Sequence, residues 1–360
     1  MRFGLSEDQR LLQESVARAL EALAPLERAR RFAAEGEARA DDVWAGLTDM
    51  GLPGVLIPEE HGGLGLGLLE AALAAEALGR TVAPAPFLGS AVLAPLALMR
   101  GGDAAQQARW LPKLAAGEIT AGVAISEPIA GAREGAGVEA RGGRLSGLAM
   151  FVIDGPGSDV FIVSDREGNL HLVAAGAPGV SCETLETIDL TRRVGKLVLK
   201  DAPAEALPGK GALEAVRDAG WVMLAADALG AADAMLAKAV DYAKERKQFG
   251  RVIGSFQAVK HLCAEMAAEI EPARALVWYA AYAFDAAPDE ASLTAAHAKA
   301  HLSEIGRFVA RTSTEVHGGI GITDLLGLHY WFKRLGLDRQ LLGGPERVRE
   351  WAARFQGLAA

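Results

Sequence analysis

The sequence predicts a mainly α protein with a central β domain. Three observations carry that expectation: apolar residues at helical spacing through the first third, a middle stretch of short β-prone runs cut by turn residues, and a return of helical spacing thereafter. At 360 residues the chain is long enough for two or three domains. Its texture divides it into an N-terminal helical domain (1–118), a middle β domain (119–205) and a C-terminal helical bundle (206–360).

From Ser6 to about Leu114 the helical pattern runs through Leu11, Leu12, Val16, Leu20 and Leu23, then Val43, Leu47 and Met50. Around Ile119 it gives way to β-prone runs at Ala121 to Ile125, Met150 to Ile153, Val160 to Val163, Leu170 to Val173 and Lys196 to Leu199, separated by Gly, Pro, Asp and Asn. After Pro203 and Pro208 the helical period resumes through Val222, Leu224, Leu229, Met235 and Val240, then from Phe256 to Ile270 and from Ala291 to Val316. Loops at His317 to Thr323 and at Gly343 and Gly344 punctuate this bundle. There is no βαβ alternation and no internal repeat, which argues against a doubly wound nucleotide fold.

Composition narrows the partners. Hydrophobic residues make up 51% and charged ones 23%, enough apolar material for a sizeable core. The net charge of −9, from 46 acidic and 37 basic residues, argues against duplex nucleic acid. The opening Met-Arg-Phe-Gly-Leu-Ser-Glu-Asp lacks signal-peptide order, and Cys182 and Cys263 cannot build a disulfide framework, so the expectation is a reducing, cytoplasmic location. The uncharged stretch from Thr81 to Met99 raises the question of a membrane span, but Pro84, Pro86 and Pro95 favour a buried loop and helix.

Common catalytic signatures are missing: there is no P-loop, no G-x-G-x-x-G, no G-x-S-x-G and no H-E-x-x-H. His297 and His301 stand four apart on a helix, yet no third ligand accompanies them, and they read as surface histidines with no metal. Gly318, Gly319 and Gly321 could turn backbone N–H groups toward a phosphate or simply form an interhelical turn. The segment from Tyr242 to His261 places Arg246 at the end of one helix, a glycine-containing turn after it, and Gln257 at the start of the next. An arginine there can pair with a diphosphate and Phe249 can cover an aromatic ring, although on these residues alone a helix hairpin with a solvated arginine is the favoured reading.

That segment, Arg246-Lys-Gln-Phe-Gly followed by Phe256-Gln257 and Lys260, resembles the R-x-x-F-G…F-Q…K run of the acyl-CoA dehydrogenase family, flavoproteins that oxidise acyl-CoA thioesters. Other segments match in the family's order. Pro58-Glu-Glu-His-Gly-Gly-Leu-Gly-Leu66 and Glu76-Ala-Leu-Gly-Arg80 resemble its P-E-x-x-G-G-x-G…E-x-L-G-R, and Gln107 to Glu118 resembles Q-K-x-x-L-P-x-L-x-x-G-E. Ser126-Glu-Pro128 stands for T-E-P, Asp189 to Arg193 for the Asp and Arg that follow the β domain, and Glu315-Val-His-Gly-Gly-Ile-Gly321 for Q-x-x-G-G-x-G. The resemblance implies an N-terminal helical domain, a middle β-barrel-like domain, a C-terminal four-helix domain, a dimer or tetramer, and FAD across a subunit interface. It also implies cofactor contacts from Arg246, Gln248, Phe249, Phe256, Gln257, Glu315, Gly318, Gly319 and Ser126. Lys333, Arg334 and Arg339 read either as a seat for the 3′-phosphate of CoA or as a solvated helix face, and the solvated face is preferred.

The sequence also departs from the family. The family reaction needs a carboxylate to take the α-proton while the β-hydride goes to the flavin. The two positions at which members carry that glutamate fall on Gly343 and on about Gly220, and glycine has no proton acceptor. The G-A-G-S-D run becomes Ile129-Ala-Gly-Ala-Arg133 and W-I-T becomes Phe151-Val-Ile153, which removes a flavin-facing hydroxyl. By the family pattern these degraded elements serve the subunit's own flavin, whereas the retained arginine segment and glycine loop reach the neighbour's. The sequence therefore reads as the base-lacking partner subunit of a bacterial heteromeric acyl-CoA dehydrogenase, several of which act on steroid side-chain CoA esters. The alternatives are a homomeric dehydrogenase with a displaced base, for which Glu346, Glu315 and Glu214 are the carboxylates at hand, a flavin monooxygenase of the same fold, and a scaffold without FAD.

Overall fold

In a computed structural model that describes residues 4–359, helices, strands and helices follow one another along the chain. Met1–Phe3, at the head of the segment read for a leader, and Ala360 lie outside the described residues. The first helices are α1 (Glu7–Leu23), α2 (Leu26–Glu35), α3 (Asp41–Asp49), α4 (Leu68–Thr81), α5 (Ala94–Gly101) and α6 (Ala104–Ala115). Local sequence sets their starts. Ser6 Oγ accepts the Gln9 N–H while Gln9 Oε1 accepts that of Ser6, and Asp103 and Gln106 repeat this reciprocal cap on α6. The uncharged stretch at Thr81 to Met99 is the end of α4, a proline turn, a π-helical segment (Leu88–Leu93) and the start of α5, largely buried.

An eight-stranded curled sheet follows, with β1 (Ala121–Ala124), a short α7 (Ser126–Ala130), β2 (Gly137–Arg141), β3 (Arg144–Ile153), β4 (Val160–Ser164), β5 (Leu170–Ala174), β6 (Val180–Thr184), β7 (Val194–Pro203) and β8 (Glu205–Ala206). Its order is β6-β7-β3-β1-β4-β5-β8 with β2 alongside β3. Only β1 and β4 run parallel. The β3–β7 register slips between Ala149 and Val152, where Phe151 takes a left-handed φ of 55°.

The remaining chain forms α8 (Ala212–Glu245), a two-strand hairpin of β9 (Lys247–Gln248) and β10 (Arg251–Val252), α9 (Gln257–Ala286), α10 (Pro288–His317), α11 (His329–Gln340) and α12 (Pro345–Phe355). Helix α8 is long and apolar enough to cross a membrane, but 89% of its most apolar window is buried against the rest of the protein. It crosses α4 at backbone contact. A Cβ on Gly79 would run into the Asp227 carbonyl oxygen, and one on Gly230 into that of Glu76. The same turn of α4 sends Glu76 to the Arg274 guanidinium and the Trp278 indole of α9, so the E-A-L-G-R segment clamps two bundle helices.

A buried ionic cluster sits where these layers meet. Asp227, midway along α8, accepts from Arg334 of α11 through Oδ1 (2.9 Å) and Oδ2 (2.8 Å) and from Arg192 of the β6–β7 loop (2.9 Å). Arg192 also reaches Asp338 Oδ1 (2.5 Å), and Lys299 of α10 donates to the carbonyls of Asp338 and Arg339. Burial alone would raise the Asp227 carboxyl, but Arg334 and Arg192 override it and hold it far below the carboxylate range. Burial pushes Lys299 down to about 7 and, with Asp227 beside it, pushes Asp338 well up.

Two expectations change here. Asp189 to Arg193 do not follow the β domain, because β7 comes after them; the loop between β6 and β7 is inserted into the helical layers, with Arg193 donating to the Phe32 and Glu37 carbonyls. Nor do Lys333, Arg334 and Arg339 form a solvated face. Arg334 is 2% exposed on Asp227, and Arg339 is paired with Glu304 and Glu346.

The end of β3 supplies a pH test. Asp154 is buried and accepts the Gly89 N–H (2.7 Å), and burial raises its carboxyl from 3.8 to about 6. Between those values the folded state holds the proton more tightly than the unfolded chain, so this group's contribution is favourable at low pH and is lost as pH rises through about 6. Asp154→Asn keeps an acceptor for Gly89. Its stability should gain on that of the native chain from pH 4 to pH 7, by up to about 3 kcal/mol, in denaturant titrations at each pH.

Candidate functional site

The sequence-predicted residues fall into two groups with opposite environments. The first is an exposed arm at the far end of α8. Arg246 caps that helix, is exposed, and has no carboxylate within ion-pair distance among the described residues. Phe249 (φ 52°) and Gly250 (φ 76°) form the two-residue turn of the β9–β10 hairpin, a turn that requires positive φ at both positions. Phenylalanine tolerates that conformation at a cost of roughly 1–2 kcal/mol, and the result is a ring 91% exposed. Phe256 meets it edge-on at 6.2 Å and carries the Arg251 guanidinium at 4.0 Å. Gln248 and Gln257 are exposed, the latter 3.3 Å from His261 Nε2.

Glu315, Gly318 and Gly319 lie beside this arm because the ends of α8 and α10 are pinned together. Tyr242 stacks on His317 at 4.8 Å, and His317 Nδ1 donates to the Ser313 carbonyl (2.7 Å). Gly318 has φ 64°, and neither it nor Gly319 has any atom within 4 Å of where a Cβ would stand. The backbone there is open to a large incoming group. Tyr242 and His317 were not singled out from the sequence as site residues; their signal is only that each is the aromatic nearest the end of its helix.

The second group lines an inward cleft beside α7, and its polar side chains are engaged with neighbouring backbone and rings. Ser126 Oγ donates to the Phe151 carbonyl (3.2 Å), Glu127 Oε1 accepts the Met150 N–H (2.6 Å), and Ile153 is fully buried. Arg133 lies 4.6 Å over the Phe151 ring. Gly220 on α8 packs against Leu342 after α11, where a Cβ on Gly220 would stand 2.5 Å from Leu342 Cδ1; a Cβ on the next residue, Gly343 (φ 101°), would face Val348 Cγ2 at 3.6 Å. The Trp221 indole N–H donates to the Leu342 carbonyl (2.8 Å). The loop after α11 thus packs on α8 across a separation of 122 residues. Among the other carboxylates considered, Glu346 is exposed and tied to Arg339, and Glu315 and Glu214 are exposed.

A groove of about 460 Å³ remains between Pro128, Trp221, Leu342, Arg347 and Trp351. The larger cleft of about 890 Å³, between β2, the β4–β5 turn and the start of α8, contains none of the predicted cofactor residues. His297 and His301 are exposed on α10.

Known proteins place this arrangement. The N-terminal domain profile of acyl-CoA dehydrogenases matches residues 6–118, and the C-terminal domain profile matches 216–355. The chain belongs to the acyl-CoA dehydrogenase family. Members of this family are oxidoreductases acting on CH–CH bonds of acyl-CoA, and FAD is their typical cofactor. The chain is 33% identical over 356 residues to acyl-CoA dehydrogenase IpdE2 of Mycolicibacterium smegmatis, covering 97% of this chain and 99% of that one. It superposes on the ChsE4-ChsE5 complex from Mycobacterium tuberculosis with a TM-score of 0.91 at 30% identity, covering both chains in full. It superposes on a Tcur3481-Tcur3483 steroid acyl-CoA dehydrogenase variant with a TM-score of 0.89 at 33% identity, covering 98% of each chain.

Tested against FAD, the two groups divide. The arm offers an unpaired guanidinium, an exposed aromatic ring, exposed amides and an open glycine turn, a donor set that fits a diphosphate and planar rings. In the inward cleft the Ser126 hydroxyl is donated to the Phe151 carbonyl, position 153 is an isoleucine with no hydroxyl, and an arginine lies on Phe151. Because Phe249 is almost wholly exposed, Phe249→Ser should leave the unfolding free energy of the single chain within about 0.5 kcal/mol of native. The same change should weaken subunit association, read by sedimentation equilibrium.

Proposed function

We propose that this chain is a subunit of a heteromeric acyl-CoA dehydrogenase that completes its partner's FAD site and has no catalytic base of its own. The observation that carries the reading is that neither expected base position offers a carboxylate: Gly220 lies under the Leu342 side chain, and Gly343 faces Val348 and Arg347. Support comes from the contrast between the inward cleft, with its polar side chains engaged, and the open arm, and from similarity to chains of the ChsE4-ChsE5 complex and of the Tcur3481-Tcur3483 steroid enzyme. The substrate of the assembly is an acyl-CoA thioester, with steroid side-chain CoA esters as the leading class.

FAD, when bound, accepts the β-hydride, while a carboxylate of the partner takes the α-proton. This chain's part is to bind and orient. Arg246 pairs with the diphosphate by charge-assisted hydrogen bonds, Phe249 and Phe256 cover a ring, and Gln248 and Gln257 donate or accept at its edge. Gly318 and Gly319 let backbone approach where any side chain would intrude. Glu315 stands where the family pattern has glutamine, and its charge opposes a diphosphate.

Arg246→Ala tests the assignment in the assembled complex with an acyl-CoA dehydrogenase partner. Removing a charge-assisted pair of about 1.5–3 kcal/mol should weaken FAD retention roughly ten- to a hundredfold while the two chains still co-purify. Unchanged FAD content after gel filtration would contradict it.

A further inference from the structure

Helix α9 leaves one face uncovered among the described residues. Its inward side, with Met266, Ile270, Ala273, Val277 and Ala280, is buried against α4, α8 and α10. On the opposite side a line of exposed residues runs through Ala264, Ala268, Pro272, Ala275, Tyr279 and Tyr282. Steps of three and four keep these residues on one side of the helix. The line is roughly 27 Å long at the helical rise and carries no charge, although the outward side of a surface helix is ordinarily charged or polar. Tyr279 and Tyr282 are 43% and 50% exposed, with their rings 6.2 Å apart, and the Tyr279 hydroxyl donates to the Glu290 carboxylate of α10 (2.5 Å). Alanine and proline let another helix approach closely, and the two rings add apolar area.

The same line continues toward the start of α9 through His261 and Gln257, both exposed, and so runs into the arm that carries Phe249. Its flanks decide what can lie on it. Glu265 and Glu269 border one side and Glu271 the other, all exposed, and Lys260 is the only exposed lysine or arginine on α9. Glu271 is met by Arg274 (3.5 Å), whereas Glu265 and Glu269, of like charge and four apart, have no base within ion-pair distance among the described residues. A second copy of this chain, related by a two-fold axis, would bring the same excess of carboxylates to the contact. An unlike chain with basic flanks is the complement.

We propose that this face of α9 is a docking surface for the unlike acyl-CoA dehydrogenase subunit, which lays on it a helix of small or apolar side chains flanked by lysine and arginine. The inference rests on the partner-subunit reading and adds to it where the unlike chain is held. The arm meets the flavin, and α9 supplies uncharged area that keeps the two chains together, with Glu265 and Glu269 setting which chain fits.

Three variants of the full chain test this against the co-expressed acyl-CoA dehydrogenase partner: Ala268→Glu, the double change Glu265→Lys with Glu269→Lys, and Ala108→Glu as a matched exposed alanine on α6. Association is read by sedimentation equilibrium, and folding by the Tm of the single chain. Ala268→Glu should leave Tm within about 2 °C of native and raise the Kd for the partner by about tenfold or more. The lysine double variant should also weaken association, more at low salt than at high salt, and Ala108→Glu should change neither reading. Native affinity in Ala268→Glu, or tighter binding by the lysine double variant, would overturn the proposal. So would a single chain that self-associates and is dissociated by Ala268→Glu, which assigns the face to a second copy. A native chain that carries FAD on every copy and does not bind the partner overturns the partner-subunit reading itself, whereas a native chain and Ala268→Glu that bind the partner equally overturn the docking face alone.

Discussion

The architecture depends on one buried carboxylate. Asp227 sits in the buried middle of α8 and is tolerable only because two guanidiniums, Arg192 from the β6–β7 loop and Arg334 from α11, converge on it. Each of these carries the link further, Arg192 to Asp338 and Arg334 to Thr191. The C-terminal end of α11 is then capped by Lys299, buried with its amine on two terminal carbonyls. A sheet loop and three helices are thereby held at one junction. A buried pair of this kind adds little net stability relative to apolar packing, but any wrong docking of the layers would leave a bare charge inside. Its value lies in fixing how the layers meet.

From that junction the two functional regions follow. Helix α11 ends at Gln340, and the loop that leaves it carries Leu342 against Gly220 of α8, seven residues before Asp227. The interior half of the family site is consequently reduced to the groove between Pro128, Trp221, Leu342, Arg347 and Trp351. At the other end of α8, beyond the last buried turn, Arg246 and the strained Phe249 turn project from the surface beside open glycines. One helix thus has an inward end and an offered end. A subunit that gives to a neighbour and keeps nothing for itself has this polarity.

Much of this was legible in the sequence, and the failures have physical causes. The change from helical to strand spacing and back was visible because each period is local. The E-A-L-G-R segment was legible as a resemblance, and the structure supplies its reason: Gly79 for backbone contact with α8, Glu76 for Arg274. Gly220 and Gly343 could be named, but the packing of Leu342 on Gly220 could not, since 122 residues separate them. Asp227 and Arg334 were invisible as partners at a separation of 107 residues, so Arg334 read as a solvated charge. The place of Asp189 to Arg193 was misjudged because a sheet loop inserted between helical layers has no periodicity of its own. Leu342 and Trp221 escaped notice since a leucine before glycine and a tryptophan in an apolar helix look like ordinary core.

The central claim is that this chain offers a flavin-binding surface outward and holds no flavin inward. The most direct measurement is the visible absorption spectrum and FAD count of the chain purified alone, and of the same chain purified with a co-expressed acyl-CoA dehydrogenase partner. The account predicts a colourless chain alone and one FAD for each pair of unlike chains in the complex. A yellow protein with one FAD on every chain in the absence of a partner would contradict it.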